Sequence, residues 1–289
     1  MLEFIEKSSK IVNFFGNPIT DQSFLERSIG IKKPYQEKYQ NWYNIDNELY
    51  YFKKISSEQQ LINELLGPYL ANFFGLEAIN YQLSIHHTNK NKNPGLISKS
   101  IFNPDNSYKN LSELVDYNIY GEPKEECLED VIDLCKNDYD KYCLMLEALK
   151  LATLGFYSHQ TDHCYINLDF QIEPTIALAP IYDFEESFDI NSENKPPKYF
   201  LQSNINWFEE QRYIYKSQLI TIIFSRENLK DFFEKYPEFY QRVISILDLD
   251  LIDILKTIEK QYDLTISASL KEHYLTFDEK QKQFTRTLK

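Results

Sequence analysis

GFYSHQTDHCYINLDFQIEPTIALAPIYDFEESFDI, residues 155–190, carries two acidic sites. The first is an Asp-x4-Asn pair, Asp162 and Asn167, and the second is Asp183, which closes the apolar run LAPIY. An Asp, then an Asn, then an Asp just past a short strand matches the needs of phosphoryl transfer. One carboxylate positions the attacking hydroxyl, while the amide and the second carboxylate hold magnesium on nucleotide phosphates. A long apolar helix precedes Asp162, and INLDFQIE and TIALAPIY read as short strands around the second site.

Working outward, residues 39–55 (YQNWYNIDNELYYFKKI) predict a hairpin, with aromatic-rich runs on either side of a turn at Asp46 and Asn47. Ser57 is placed to cap a helix, and Gln60 three positions on completes a capping box. Leu61, Leu65, Tyr69 and Phe73 recur at helical spacing, and Gly67-Pro68 is expected to kink or split that helix. INYQLSI (79–85) and GLISKSIF (95–102) predict two further strands joined by the polar tip HHTNKNKN, and 103–110 reads as loop. Residues 125–158 and 207–275 read as helical. The chain is thus a strand-rich first third followed by a helical remainder with one embedded hairpin, the two-lobe layout of protein kinases.

The strand ELYYFKKI supplies a lysine for the same cleft. Alternation puts Tyr51 and Lys53 on one face and Phe52 and Lys54 on the other. Lys53 is favoured as the phosphate-neutralising cation with Tyr51 near the adenine, and Lys54 stays open as the alternative. Glu64, at the edge of the following helix's apolar face, is the acid placed to orient that lysine. Glu58 competes, although a carboxylate in the first helical turn is favoured by the helix dipole anyway.

At 289 residues the chain can bury a large core, and 43% hydrophobic with 26% charged residues fits an ordinary globular composition. A net charge of −13 argues against a duplex-binding surface, which needs clustered Lys and Arg. The N-terminal MLEFIEKSSKIVNFFG lacks the pattern of a signal peptide, and no apolar stretch is long enough to predict a membrane span. Cys127, Cys135, Cys143 and Cys164 lack CxxC spacing and read as reduced structural thiols, so a cytoplasmic protein is expected. Seven glycines leave only Gly16 and Gly30 before residue 40 for a phosphate-covering turn, and SIGIKKPY (28–35) is the segment assigned to it.

INELLGPYLANFFGL (62–76), GLISKSIF (95–102), QTDHCYIN (160–167) and LAPIYDFEESF (178–188) together resemble the HipA-like Ser/Thr kinases of bacterial toxin–antitoxin modules and related effectors. The resemblance spans roughly residues 50–190. It implies an α+β, protein-kinase-like bilobal fold with a small lobe over 1–103, a large helical lobe over 104–289 and a hinge at 101–105. It also implies magnesium-dependent transfer from ATP to a protein Ser or Thr, with an antitoxin-type partner, Asp162 catalytic, Asn167 and Asp183 on the metal, and Lys53 on the phosphates with Glu64 as its partner. The hinge backbone at Ile101 and Phe102 would bind adenine, and Ser28 is the candidate for the self-phosphorylated loop serine some members use. Two positions depart from the family's N-x-D-R-H-x-x-N loop: Gln160 stands for its first Asn, and His163-Cys164 for Arg-His. A neutral His cannot reproduce the fixed hydrogen bonds by which an Arg braces such a loop.

Three other readings compete. HQTDHC could ligate zinc through His159, His163 and Cys164, but a helical H-E-x-x-H hydrolase needs its base where Gln160 stands. A kinase fold that binds nucleotide poorly and serves as an interaction module fits the lost Arg and scarce Gly. A small-molecule or lipid kinase on the same scaffold leaves no separate motif.

Overall fold

The computed structural model describes residues 7–20, 41–101, 108–110, 134–158, 169–188 except 174 and 186, and 237–287, together with residues 5, 114 and 131. Five strands form one mixed sheet: β1 (Val12–Phe15), β2 (Trp42–Ile45), β3 (Glu48–Lys54), β4 (Gln82–His87) and β5 (Lys92–Lys99), in the order β1-β4-β5-β3-β2. Helix α1 (Glu58–Phe73) crosses between β3 and β4. A small sheet of β6 (Tyr108–Asn110), β7 (Asp169–Gln171) and β8 (Ala177–Leu178) lies beyond it, with α2 (Asp138–Ser158) between β6 and β7. Then come α3 (Pro237–Ile244), a 3-10 turn (Ser245–Asp248), α4 (Leu251–Tyr262) and α5 (Ala268–Arg286). The α+β class expected from the sequence is the one observed. No helix among the described residues is long and apolar enough to cross a membrane.

The β2–β3 hairpin forms where its turn chemistry predicts. Asp46 and Asn47 both take positive φ (52° and 65°), the pair of left-handed residues that a two-residue primed turn requires. Register then fixes which side chains share a face. Lys53 opposes Leu96, which opposes Leu83, so Lys53 points to the same side as the residues packed toward α1. Phe52, Ile97, Tyr43 and Phe14 form a separate apolar cluster on the other face. His86 is buried in it, stacked on Phe14 and bonded to the Gly16 carbonyl at 2.9 Å.

Several local expectations are corrected. The helix does not break at Gly67-Pro68; α1 runs through both. Gly67 is there for space, since a Cβ on it would fall 2.1 Å from the Phe184 ring. The α1 stripe is also wider than predicted: residues 61–68 are all buried, whereas Phe73 is exposed. Strands β4 and β5 extend into the segment expected as a polar tip, because Thr88 and Asn91 close a tight turn there. Residues 108–110, expected as loop, pair with β7. Strand β1 was not anticipated; its parallel pairing with β4 joins segments some 70 residues apart, which no local pattern announces. The segments 21–40 and 189–236, including Ser28 and the 28–35 turn, lie outside the described residues.

Helices α4 and α5 pack behind α1 and complete the core. Asn63 of α1, 1% exposed, donates to the carbonyls of Glu185 (2.8 Å) and Ser187 (2.7 Å) and accepts from the Tyr274 hydroxyl of α5 at 2.7 Å. Phe188 holds a left-handed φ of 58°, costly for a bulky residue, and tertiary contacts fasten it. Its N–H donates to Ser158 O, its carbonyl accepts from His273 Nε2 at 3.0 Å, and its ring meets Tyr274 and Phe277 edge-on.

Gly67→Ala is expected to lower stability by about 1–3 kcal/mol through overlap with Phe184, read as a lower urea midpoint. Tyr274→Phe, which removes only the hydroxyl given to Asn63, is expected to cost about 1 kcal/mol in the same assay.

Candidate active site

Strand parity delivers Lys53 to the inner face, and a helix start delivers its partner. Ser57 caps α1 by accepting from Gln60 N at 3.0 Å. The other half of the expected capping box is displaced by one residue, since Gln60 Oε1 accepts from Ser56 N (2.7 Å) and Ser56 Oγ (2.8 Å). Glu64, one turn further, is fully buried and accepts from Lys53 Nζ at 2.6 Å. Lys54 lies on the opposite parity and is exposed. Glu58, the competitor, accepts instead from Ser267 N at 2.7 Å.

Asp183 reaches the same ammonium. The segment before it is fixed against the stretch between α1 and β4: Ile79 N donates to Ile181 O at 3.1 Å and Ile181 N to Glu77 O at 2.9 Å. Asp183 then turns through a left-handed φ of 67° and pairs with Lys53 Nζ. Phe184 follows, its N–H bonded to Glu64 Oε1 at 3.1 Å and its ring seated on Gly67. Glu64 thus ties strand β3 and the Asp183 segment to one helix. A third carboxylate, Glu185, lies 3.0 Å from Lys53 Nζ and accepts from Gln60 Nε2 at 2.5 Å.

Burial alone would lower the Lys53 pKa, but the charges of Glu64 and Asp183, and hydrogen bonds to both, outweigh it and hold the ammonium above its ordinary value. It therefore stays charged through neutral pH. Complete burial pushes the Glu64 carboxyl up; Lys53 pulls the other way, and Asp183 adds to the rise. Tyr81 and Tyr182 line the same cleft, and burial with nearby carboxylates drives both hydroxyls well above their usual range. The Tyr182 hydroxyl donates to buried Asp169 at 2.9 Å.

These groups open onto a cavity of about 340 Å³, within the range of small-molecule sites. Tyr51, Lys53, Ile101, Asp183 and Glu185 all line it. An ammonium suits a polyphosphate, and the Asp183 carboxylate, 23% exposed, is the hard oxygen donor that Mg²⁺ takes. The donor set fits a magnesium nucleotide. Among the described residues, Glu64, Asp183 and Glu185 form an acidic group whose oxygens lie within 4.8 Å of one another, and Lys53 touches all three.

Of the residues singled out from sequence, Lys53, Glu64, Tyr51, Ile101 and Asp183 converge on this cleft, and Lys54 borders the same cavity without pairing to Glu64 or Asp183 in the way Lys53 does. Asp162, Asn167 and Phe102 lie outside the described residues, as do His159, His163 and Cys164 of the zinc alternative. Cys135 and Cys143, the cysteines among the described residues, form no disulfide. Glu185 and Asn63 were not anticipated. Asn63 carried a signal, as a polar residue inside an apolar helical run, whereas Glu185 in FEES reads like any surface acid.

No protein-family model and no curated protein matches this sequence. Solved structures do match. The Helicobacter pylori proinflammatory kinase CtkA aligns with a TM-score of 0.50 at 17% identity, over 84% of this chain and 89% of that one. HipA, from a Shewanella oneidensis MR-1 toxin–antitoxin complex with HipB and operator DNA, aligns with a TM-score of 0.42 at 12% identity, over 86% of this chain and 62% of that one. The likeness to CtkA shows that the chain has a kinase fold, in line with the HipA-like resemblance of residues 50–190.

Proposed function

We propose that the chain is a magnesium- and ATP-dependent kinase acting on Ser or Thr hydroxyls of a protein substrate. The observation that carries this reading is the junction of Lys53, Glu64 and Asp183 at one cavity in a kinase-like fold. In this reading the cleft lies between a small lobe (1–103) and a large lobe (104–289), with adenine near Tyr51 and the hinge at Ile101 and Phe102. Lys53 contacts the phosphates, and Glu64 holds it at the required height. Asp183 and Asn167 hold Mg²⁺, which when bound would offset charge on the phosphate oxygens. Asp162 orients the acceptor hydroxyl and takes its proton as the bond from the hydroxyl oxygen to the γ-phosphorus forms. The bond from that phosphorus to the bridging oxygen breaks, and ADP leaves. The resemblance to HipA-like kinases adds an antitoxin-type partner, and the unpaired spacing of the cysteines adds a cytoplasmic site of action.

A second reading, nucleotide binding without transfer, is favoured by one observation: Lys53 already has three carboxylate partners.

With labelled ATP and Mg²⁺, wild-type protein should incorporate or transfer label. Lys53→Met and Asp183→Ala should each reduce the rate roughly hundredfold or more, the scale of a lost transition-state contact. Transfer insensitive to Asp183→Ala would overturn the metal assignment. A thermal shift with Mg·ATP but no transfer would favour the second reading. Glu64→Gln should reduce transfer by up to about a hundredfold, since Lys53 loses the buried acid that fixes its position.

A further inference from the structure

Glu185 is the residue of this cleft that the proposed reaction leaves without a role. A lysine ammonium has three N–H donors, and around Lys53 stand three carboxylates: Glu64 at 2.6 Å, Asp183, and Glu185 at 3.0 Å. Those three acids can take every donor that a phosphate would use.

Resting on the reading of the cleft as a nucleotide site, we propose that Glu185 occupies the phosphate position on Lys53 and must release it when a nucleotide binds. Glu185 thereby sets the affinity of the cleft for polyphosphates. Of the three acids it is the one able to leave. Glu64 is fully buried and its Oε1 also accepts from Phe184 N. Asp183 is held in a left-handed turn between fixed backbone contacts at Ile181 and Phe184. The Glu185 side chain is 33% exposed, the most open of the three, and borders the cavity.

The neighbouring residues limit how Glu185 moves. Its carbonyl is bonded to Asn63 Nδ2 at 2.8 Å, so departure from Lys53 is a matter of side-chain torsions. Its second partner is the Gln60 amide at 2.5 Å. Gln60 is itself oriented, because its Oε1 accepts from Ser56 N and Oγ and so turns Nε2 toward Glu185. Gln60 is therefore a positioning residue that keeps the carboxylate at the cavity edge after it leaves Lys53. Charge argues the same way. Three carboxylates face one ammonium, and an incoming polyphosphate brings more negative charge to the same point.

Two measurements on the full-length protein test this. Without nucleotide, competitive acylation with an amine-directed reagent, read by mass spectrometry, reports how firmly Lys53 is held, with exposed Lys90 in the β4–β5 turn as internal reference. Glu185→Gln should raise Lys53 labelling about threefold or more relative to Lys90, the effect of removing one charge from a partly exposed pair. Calorimetric titration with Mg·ATP should then show about fivefold tighter binding in Glu185→Gln than in wild type. The gain should be absent when Lys53→Met is the background. Glu185→Ala repeats both measurements should the glutamine variant fold poorly. Unchanged Lys53 labelling, or wild-type binding of Mg·ATP that Glu185→Gln fails to tighten, overturns the role of Glu185 while leaving the nucleotide site in place. Faster labelling with no Mg·ATP binding by any variant overturns the nucleotide reading, and the role given to Glu185 with it.

Discussion

A single buried carboxylate organises this molecule. Glu64 has no exposure to solvent, and an ionised carboxylate there would cost several kcal/mol without partners. Lys53 and the N–H of Phe184 supply those partners from two different parts of the chain. Helix α1 therefore cannot move away from β3, nor the Asp183 segment from α1, without leaving that carboxyl group buried and unpaired. The sheet, the helix and the acidic segment are joined because each satisfies part of the same group.

Packing and hydrogen bonds behind α1 reinforce that joint. The Phe184 ring lies over Gly67, where any side chain would collide. Asn63 spans the carbonyls of Glu185 and Ser187 on one side and the Tyr274 hydroxyl on the other, so α5 contributes to holding the acidic segment although it is remote in sequence. These contacts support two strained residues, Asp183 and Phe188, both with positive φ. The Asp183 carboxylate consequently faces the cavity on a segment held by backbone bonds at Ile181 and Phe184.

The electrostatics of the cleft follow from the same arrangement. With three acids about one ammonium, Lys53 stays protonated and the Glu64 carboxyl rises above its ordinary range. Such an excess of negative charge opposes an anionic ligand and favours a cation.

Much of this was legible in the sequence where the physics is local. Asp46-Asn47 between aromatic runs determined the β2–β3 hairpin, because those two residues tolerate the left-handed backbone of its turn. Period-two alternation placed Lys53 opposite in sense to Lys54, and Ser57 with Gln60 marked the start of α1. Glu64 at the edge of an apolar face was readable as an inward acid. Tertiary structure alone decided the rest. Gly67-Pro68 reads as a helix break, yet Phe184, more than a hundred residues away, makes the glycine necessary within a continuous helix. Strand β1 exists only through its pairing with β4. Glu185 looks like a solvated acid until Asn63 and Gln60 bring it to Lys53. Turns, alternation and caps depend on neighbours along the chain, whereas close approach and shared charge depend on which distant segments meet.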